Sequence, residues 1–195
     1  MDHPPKTLTD QNPLPKLIIF DLDQTLWPYW IDSDPTPPLT LIPTTTPPTL
    51  RDAIGTPYPL FPTTLPLLTH LSSSSGGAAA AGIKLAVASR THTPELALQA
   101  LDLYGLRQFF DFFEIYPGSK VKHMRRLREK SGVEFRDMLF FDDERRNREV
   151  CGLGVWFVLV GAAGVDCGLV DEGVGEWRRE RGFEVVGEGE GEGGV

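Results

Sequence analysis

Cysteine is scarce in this chain. Cys151 and Cys167 are the only two, without a CxxC spacing, so no disulfide framework is expected, and two reduced thiols in or near a core are the simple reading. No apolar run approaches the ~20 residues that cross a bilayer. The stretch MDHPPKTLTDQNPLPK carries prolines where a secretory signal would have its apolar centre. A soluble intracellular protein, cytoplasmic or also nuclear, is expected. A basic stripe is also missing: the net charge is -8, which argues against nucleic acid and against anionic membranes as partners. His3, His70, His92 and His123 are scattered and form no cluster, and Arg125, Arg126 and Arg128 read as the solvated face of a helix. No internal repeat is present.

What remains is ordinary globular material. The 195 residues are 41% hydrophobic and 24% charged, enough for one compact domain with a real core. Much of the acidity sits in residues 161–195, where nine acids face three arginines. The short apolar runs Leu17–Phe20, Ile83–Ser89, Phe112–Tyr116, Met138–Phe141 and Val155–Val160 are continuous rather than alternating. That pattern suits strands buried on both faces of a parallel sheet. Helix signals fall between them. Thr93 with Pro94 opens a helix that stops at Gly105, Ser119 opens another that stops at Gly132, and a third begins near Glu144 and ends around Gly152 or Gly154. The fold class expected is α/β, a doubly wound parallel sheet.

Residues 1–15 read as a flexible tail, 16–186 as a single domain, and 187–195 (GEGEGEGGV) as disordered. Residues 31–62, dense in Pro and Thr, predict a long, mostly irregular excursion after the first strand. Residues 72–82 (SSSSGGAAAAG) predict a flexible low-complexity insert whose shortening leaves the fold unchanged.

The chemistry lies at strand ends. LIIFDLDQTLW delivers Asp21 and Asp23 at the C-terminal edge of the first strand, where ligands of open α/β sheets collect. Two carboxyl groups there suit a nucleophile and a proton shuttle and can also hold a divalent cation. A solvated Asp-rich turn is the plainer alternative. AVASRT adds Ser89 and Arg90, YPGSK adds Lys120 at the first turn of a helix, and MLFFDDERRN adds Asp142, Asp143 and Asn147. Singly, each could be a turn hydroxyl, a solvated lysine or a helix cap. Jointly they supply what phosphoryl transfer requires: a nucleophile, donors for the non-bridging oxygens and cations against developing charge.

In order and wording these motifs resemble the magnesium-dependent phosphatases of the haloacid dehalogenase (HAD) superfamily, over roughly Lys16 to Val160. The resemblance implies a HAD-like Rossmannoid domain and a phosphatase acting through an aspartyl phosphate. It implies Asp21 as nucleophile and Asp23 as general acid/base. Mg²⁺ would be held by the Asp21 carboxylate, the Asp23 backbone carbonyl and Asp143. Ser89, Lys120, Arg90 and the Leu22 backbone N–H would bind phosphate oxygens, with Asn147 in support. The substrate would be a phosphorylated small molecule, such as a sugar phosphate, or a phosphoprotein, such as a phosphotyrosyl protein.

No large cap domain fits between Asp21 and Ser89 or between Ser89 and Lys120, so an open site is expected. Trp27, Tyr29 and Trp30 either offer aromatic faces to the leaving group, Trp30 foremost, or pack their loop back on the core. A receiver-like signalling domain also gathers acids, a hydroxyl and a lysine around Mg²⁺, but there the acidic pair closes the first strand and the phosphorylated Asp lies on a later one. A haloacid dehalogenase would have no use for Asp23 or a metal. A non-catalytic phospho-ligand module would be expected to lack a motif residue, and none is missing here.

Overall fold

The computed structural model describes residues 3–73 and 77–183. Five strands, β1 (Leu17–Phe20), β5 (Lys84–Ser89), β6 (Phe112–Ile115), β7 (Met138–Asp142) and β8 (Trp156–Leu159), form one parallel sheet in the order β6-β5-β1-β7-β8. The doubly wound α/β expectation is met. Helices α1 (Thr64–Ser72), α2 (Pro94–Leu103), α3 (Lys120–Ser131) and α4 (Cys167–Glu180) accompany the sheet. The continuous apolar runs have the cause expected of them. Ile18 and Phe20 belong to one core, Leu17 and Ile19 to the other, and all four are fully buried. Phe20 stacks on Phe141 of the neighbouring strand, with ring centroids 5.3 Å apart.

Residues 31–62 are more ordered than their composition predicts. They contain a small antiparallel sheet of β2 (Thr40–Ile42), β3 (Thr49–Arg51) and β4 (Pro57–Pro59). Leu41, Leu50 and Tyr58 stand in register across it. Pro57 and Pro59 are tolerated because β4 is an edge strand, where a missing N–H costs no ladder bond. The reading of 72–82 as a loose insert also needs correction. Ser72 ends α1, and Ala78 is fully buried in the main core. The third expected helix exists as 3₁₀ turns over Arg145–Leu153 rather than as an α-helix, because Asn147 is drawn inward to bond the preceding strand end.

Residues 3–15, expected as a flexible tail, dock instead on α4. Lys6–Leu8 form a 3₁₀ turn, and the Thr7 N–H and hydroxyl both donate to Asp171. Arg178 is 1% exposed and holds the segment: its guanidinium binds both Asp10 carboxylate oxygens (2.6 and 2.9 Å), the Pro13 carbonyl (2.7 Å) and the Thr7 carbonyl (2.9 Å). Helix α4 lies close to the sheet because of Gly173, where a Cβ would come within 2.9 Å of Val158. The expected disordered tail, 187–195, lies outside the described residues.

The Arg178 cluster makes a prediction. Arg178→Ala removes several part-buried hydrogen bonds from one buried guanidinium, whose acceptors can turn to water, so it should cost about 1–3 kcal/mol. Urea unfolding should show a lower midpoint at an unchanged slope. A midpoint within error of the parent would mean that the docked segment adds nothing to stability.

Candidate active site

Asp21 follows β1 directly, and its N–H donates to the Phe141 carbonyl, which extends the ladder one residue past the strand. The chain then turns sharply. The Leu22 carbonyl accepts from Thr25 and Leu26, and Gln24 has a left-handed backbone (φ 54°). The turn buries the Leu22 side chain. Ser89 ends β5, Lys120 opens α3 behind the Ser119 N-cap, and Asp142 ends β7.

These strand ends converge. Lys120 is fully buried, with Nζ 2.9 Å from Asp21 Oδ1 and 2.8 Å from Asp142 Oδ2. It also donates to the Ala88 carbonyl. Burial opposes its charge, but the two carboxylates outweigh that and raise the ammonium pKa above its ordinary value. Asn147 Nδ2 donates to both oxygens of Asp142 at 2.9 Å, and the Glu144 N–H adds a third donor. Asn147 Oδ1 in turn accepts from Arg90 (3.0 Å), which anchors that guanidinium. Ser89 is buried, and its Oγ accepts from the Thr91 N–H. Its hydroxyl proton can therefore point elsewhere.

An open cavity of about 210 Å³ lies over this cluster, lined by Asp21, Asp23, Trp30, Ser89, Arg90 and Asp143 among the expected residues. Lys120 sits behind Asp21 rather than on the cavity wall. Trp30 is half exposed at the rim, whereas Trp27 and Tyr29 are buried and pack the loop onto the core. Asp32, Thr91, His92, Glu144 and Arg146 also line the cavity and were not anticipated. Thr91, Glu144 and Arg146 stand inside AVASRT and MLFFDDERRN but were given no role there, and the His92–Asp32 contact of 3.4 Å, across a long sequence separation, has no sequence signal. His123, read as scattered, is buried at 2.9–3.0 Å from the carbonyls of Ser119, Ser89 and Tyr116, so it ties α3 to the ends of β5 and β6.

The carboxylates can hold a hard cation. One oxygen each from Asp21, Asp142 and Asp143 lies within 4.8 Å of the others. Asp142 is already saturated by Lys120, Asn147 and Glu144, whereas Asp143 makes no ion pair among the described residues and faces the cavity. Asp21 Oδ1 is buried without an aligned hydrogen bond, despite its closeness to Lys120. Such an oxygen suits a metal ligand. Burial pushes the Asp21 carboxyl well above its ordinary value, Lys120 pulls it back, and Asp142 pushes it further up. Burial together with the Asp142 charge raises Asp143 to about 6. Burial raises Asp23 to about 7, against hydrogen bonds from Trp27 and Ile31.

The family model described as Acid Phosphatase matches residues 13–180. The human protein Magnesium-dependent phosphatase 1 is 40% identical over 172 residues, covering 88% of this chain and 87% of that protein. A HAD-like hydrolase superfamily protein of Schizosaccharomyces pombe is 39% identical over 154 residues, covering 74% of this chain and 84% of its own. Among solved structures, a HAD-superfamily hydrolase from Ehrlichia chaffeensis superposes with a TM-score of 0.57 at 13% identity, covering 84% of this chain and 98% of that one. The N-terminal part of a Bacteroides fragilis protein, containing a phosphatase domain complexed with Mg, gives a TM-score of 0.51 at 16% identity. It covers 94% of this chain, which spans 44% of that one. Both share the fold.

The raised carboxyls make stability depend on pH when no metal is bound. Asp23 carries a folded pKa of about 7 against 3.8 ordinarily. Between those values the folded state holds the extra proton, so stability falls as pH rises through the window. The metal-free protein in EDTA should therefore be more stable at pH 5.5 than at pH 7.5, with a slope of up to about 1.4 kcal/mol per pH unit from Asp23. Urea midpoints across that range measure it; a flat or rising profile contradicts the assignment.

Proposed function

The chain belongs to the acid phosphatase family, among the magnesium-dependent phosphatases of the HAD superfamily, and from that premise we propose that it hydrolyses phosphate monoesters, with Mg²⁺, through an aspartyl phosphate on Asp21. The reading rests above all on one observation: Asp21, Asp23, Ser89 and Asp143 face one small cavity, with the Lys120 ammonium directly behind Asp21. In this reading the Asp21 carboxylate, the Asp23 backbone carbonyl and Asp143 would hold the metal. When bound, Mg²⁺ supplies the positive charge that lets a carboxylate approach a phosphate dianion.

The rest falls to the protein. An Asp21 carboxylate oxygen attacks phosphorus, and the bond to the leaving oxygen breaks as Asp23 gives that oxygen its proton. Asp23, now ionised, takes a proton from water; the resulting hydroxide attacks the same phosphorus, and the bond to Asp21 breaks to release inorganic phosphate. A group titrating near 7 can serve as acid and then as base at neutral pH. Ser89, the Leu22 N–H and Arg90 would hold the non-bridging oxygens, and Lys120 would balance the charge that develops on them. The open cavity with Trp30 at its rim suits a bulky leaving group, such as a phosphotyrosyl side chain or a sugar, attached to a phosphorylated small molecule or protein.

Two measurements test this. Turnover of a phosphate monoester should vanish in EDTA and return with Mg²⁺, while Ca²⁺ should restore it poorly because it prefers more ligands in looser geometry. Rapid quench with labelled substrate should show no phosphoenzyme in Asp21→Asn. Asp23→Asn should be slowed by ~10²–10⁴-fold with poor leaving groups, and with an activated aryl phosphate it should accumulate phosphoenzyme. Trapped phosphate in Asp21→Asn would place the nucleophile elsewhere.

A further inference from the structure

Trp27 is fully buried and has no face on the cavity, yet its indole N–H points at the site. Nε1 donates to Asp23 Oδ1 at 2.7 Å, and the Ile31 N–H donates to the same oxygen at 3.2 Å. Among the described residues, Asp23 Oδ2 receives no hydrogen bond, while Asp23 lines the cavity. A protonated carboxyl has one hydroxyl oxygen and one carbonyl-type oxygen. Two N–H groups directed at Oδ1 would meet a proton head-on if it sat there, so Oδ1 must be the acceptor and the proton belongs on Oδ2.

The indole is in turn held against rotation. It stacks on Tyr29 (centroids 5.5 Å apart, planes at 13°) and lies against Tyr104 at 5.9 Å. The two phenols are hydrogen-bonded at 2.9 Å, and the Tyr104 hydroxyl donates to the Tyr58 carbonyl at 2.6 Å. The backbone beside the ring is fixed as well, since the Leu26 carbonyl accepts from the Thr64 hydroxyl at 2.6 Å.

We propose that Trp27 is a positioning residue: its clamped N–H, with that of Ile31, confines the transferable proton of Asp23 to Oδ2, aimed into the cavity. This rests on the reading of Asp23 as general acid. A buried indole N–H needs an acceptor in any case, and a purely structural bond makes a different prediction. Loss of the donor would then weaken packing without regard to the substrate. A proton-directing bond matters only where the leaving oxygen must be protonated.

Replacing Trp27 with benzothienylalanine keeps the bicyclic outline and removes the N–H. Trp27→Phe removes it with a smaller ring, and thermal melts identify which variant is folded at the assay temperature. Single-turnover phosphoenzyme formation is followed with glycerol phosphate, whose alkoxide must be protonated, and with 4-nitrophenyl phosphate, whose leaving group needs no proton. A folded variant should be slowed about 10–100-fold with glycerol phosphate, a part of the full general-acid effect, and less than about threefold with the aryl ester. Equal slowing of both esters, or of neither, overturns the proposal alone. If the unaltered protein forms no phosphoenzyme with either ester, the underlying mechanism fails and the proposal falls with it.

Discussion

Lys120 carries an ammonium with no access to water, held between the carboxylates of Asp21 and Asp142. Burying one cation beside two anions is tolerable only if every partner is fixed, because desolvation in such a place costs several kcal/mol per ion, roughly, and is recovered only in good geometry. The surrounding structure meets that demand. The Ser119 cap starts α3 so that Lys120 is its first residue, Asn147 and the Glu144 N–H satisfy the oxygens of Asp142, and the Phe141 carbonyl receives the Asp21 N–H. The cluster retains an excess of negative charge. Its raised carboxyls and its one poorly satisfied oxygen are the features expected of a site whose complement is a cation.

The sheet order explains why these groups meet at all. With β1 central, β5 on one side and β7 on the other, the chain leaves the C-terminal edge of β1 at the point where the winding changes direction. Each neighbouring strand end then adds a group at or just beneath the same crevice: Ser89 from β5 and Asp143 after β7 on its wall, and Asp142 of β7 and the Lys120 ammonium buried behind it. The loop after β1 does a different task. It carries Trp27 and Tyr29 into the core and leaves Trp30 exposed at the cavity rim, so three neighbouring aromatics divide into two that brace the loop and one that faces solvent.

Much of this was legible in the sequence because the governing signals are local. Continuous apolar runs such as LIIF and MLFF report burial on both sheet faces, and Asp21, Asp23, Ser89, Lys120 and Asp143 announce themselves by standing at the ends of such runs. What escaped notice depends on long-range contact or on weak propensity. The strands β2–β4 are three residues each, below the length at which alternation can be read, and β4 carries two prolines. Helix α4 is interrupted by Gly168, Gly173 and Gly175, which depress helix propensity, although Gly173 is there to admit the sheet. Ala78 looked like filler and proved to be core. His123 and Asp32 gain their places from partners far along the chain, which no spacing rule reveals.

The grip of Arg178 on residues 7–13 ties the first segment of the chain to the last described helix. Synthesis is vectorial, so residues 7–13 have no such partner until residue 178 has also emerged. The central strand faces the same delay, since β1 needs both β5 and β7 before its edges are paired. Asp21 is therefore synthesised well before the neighbouring strands and Lys120 that support it. Contacts this distant in sequence leave the order of translation little hold over the order of assembly.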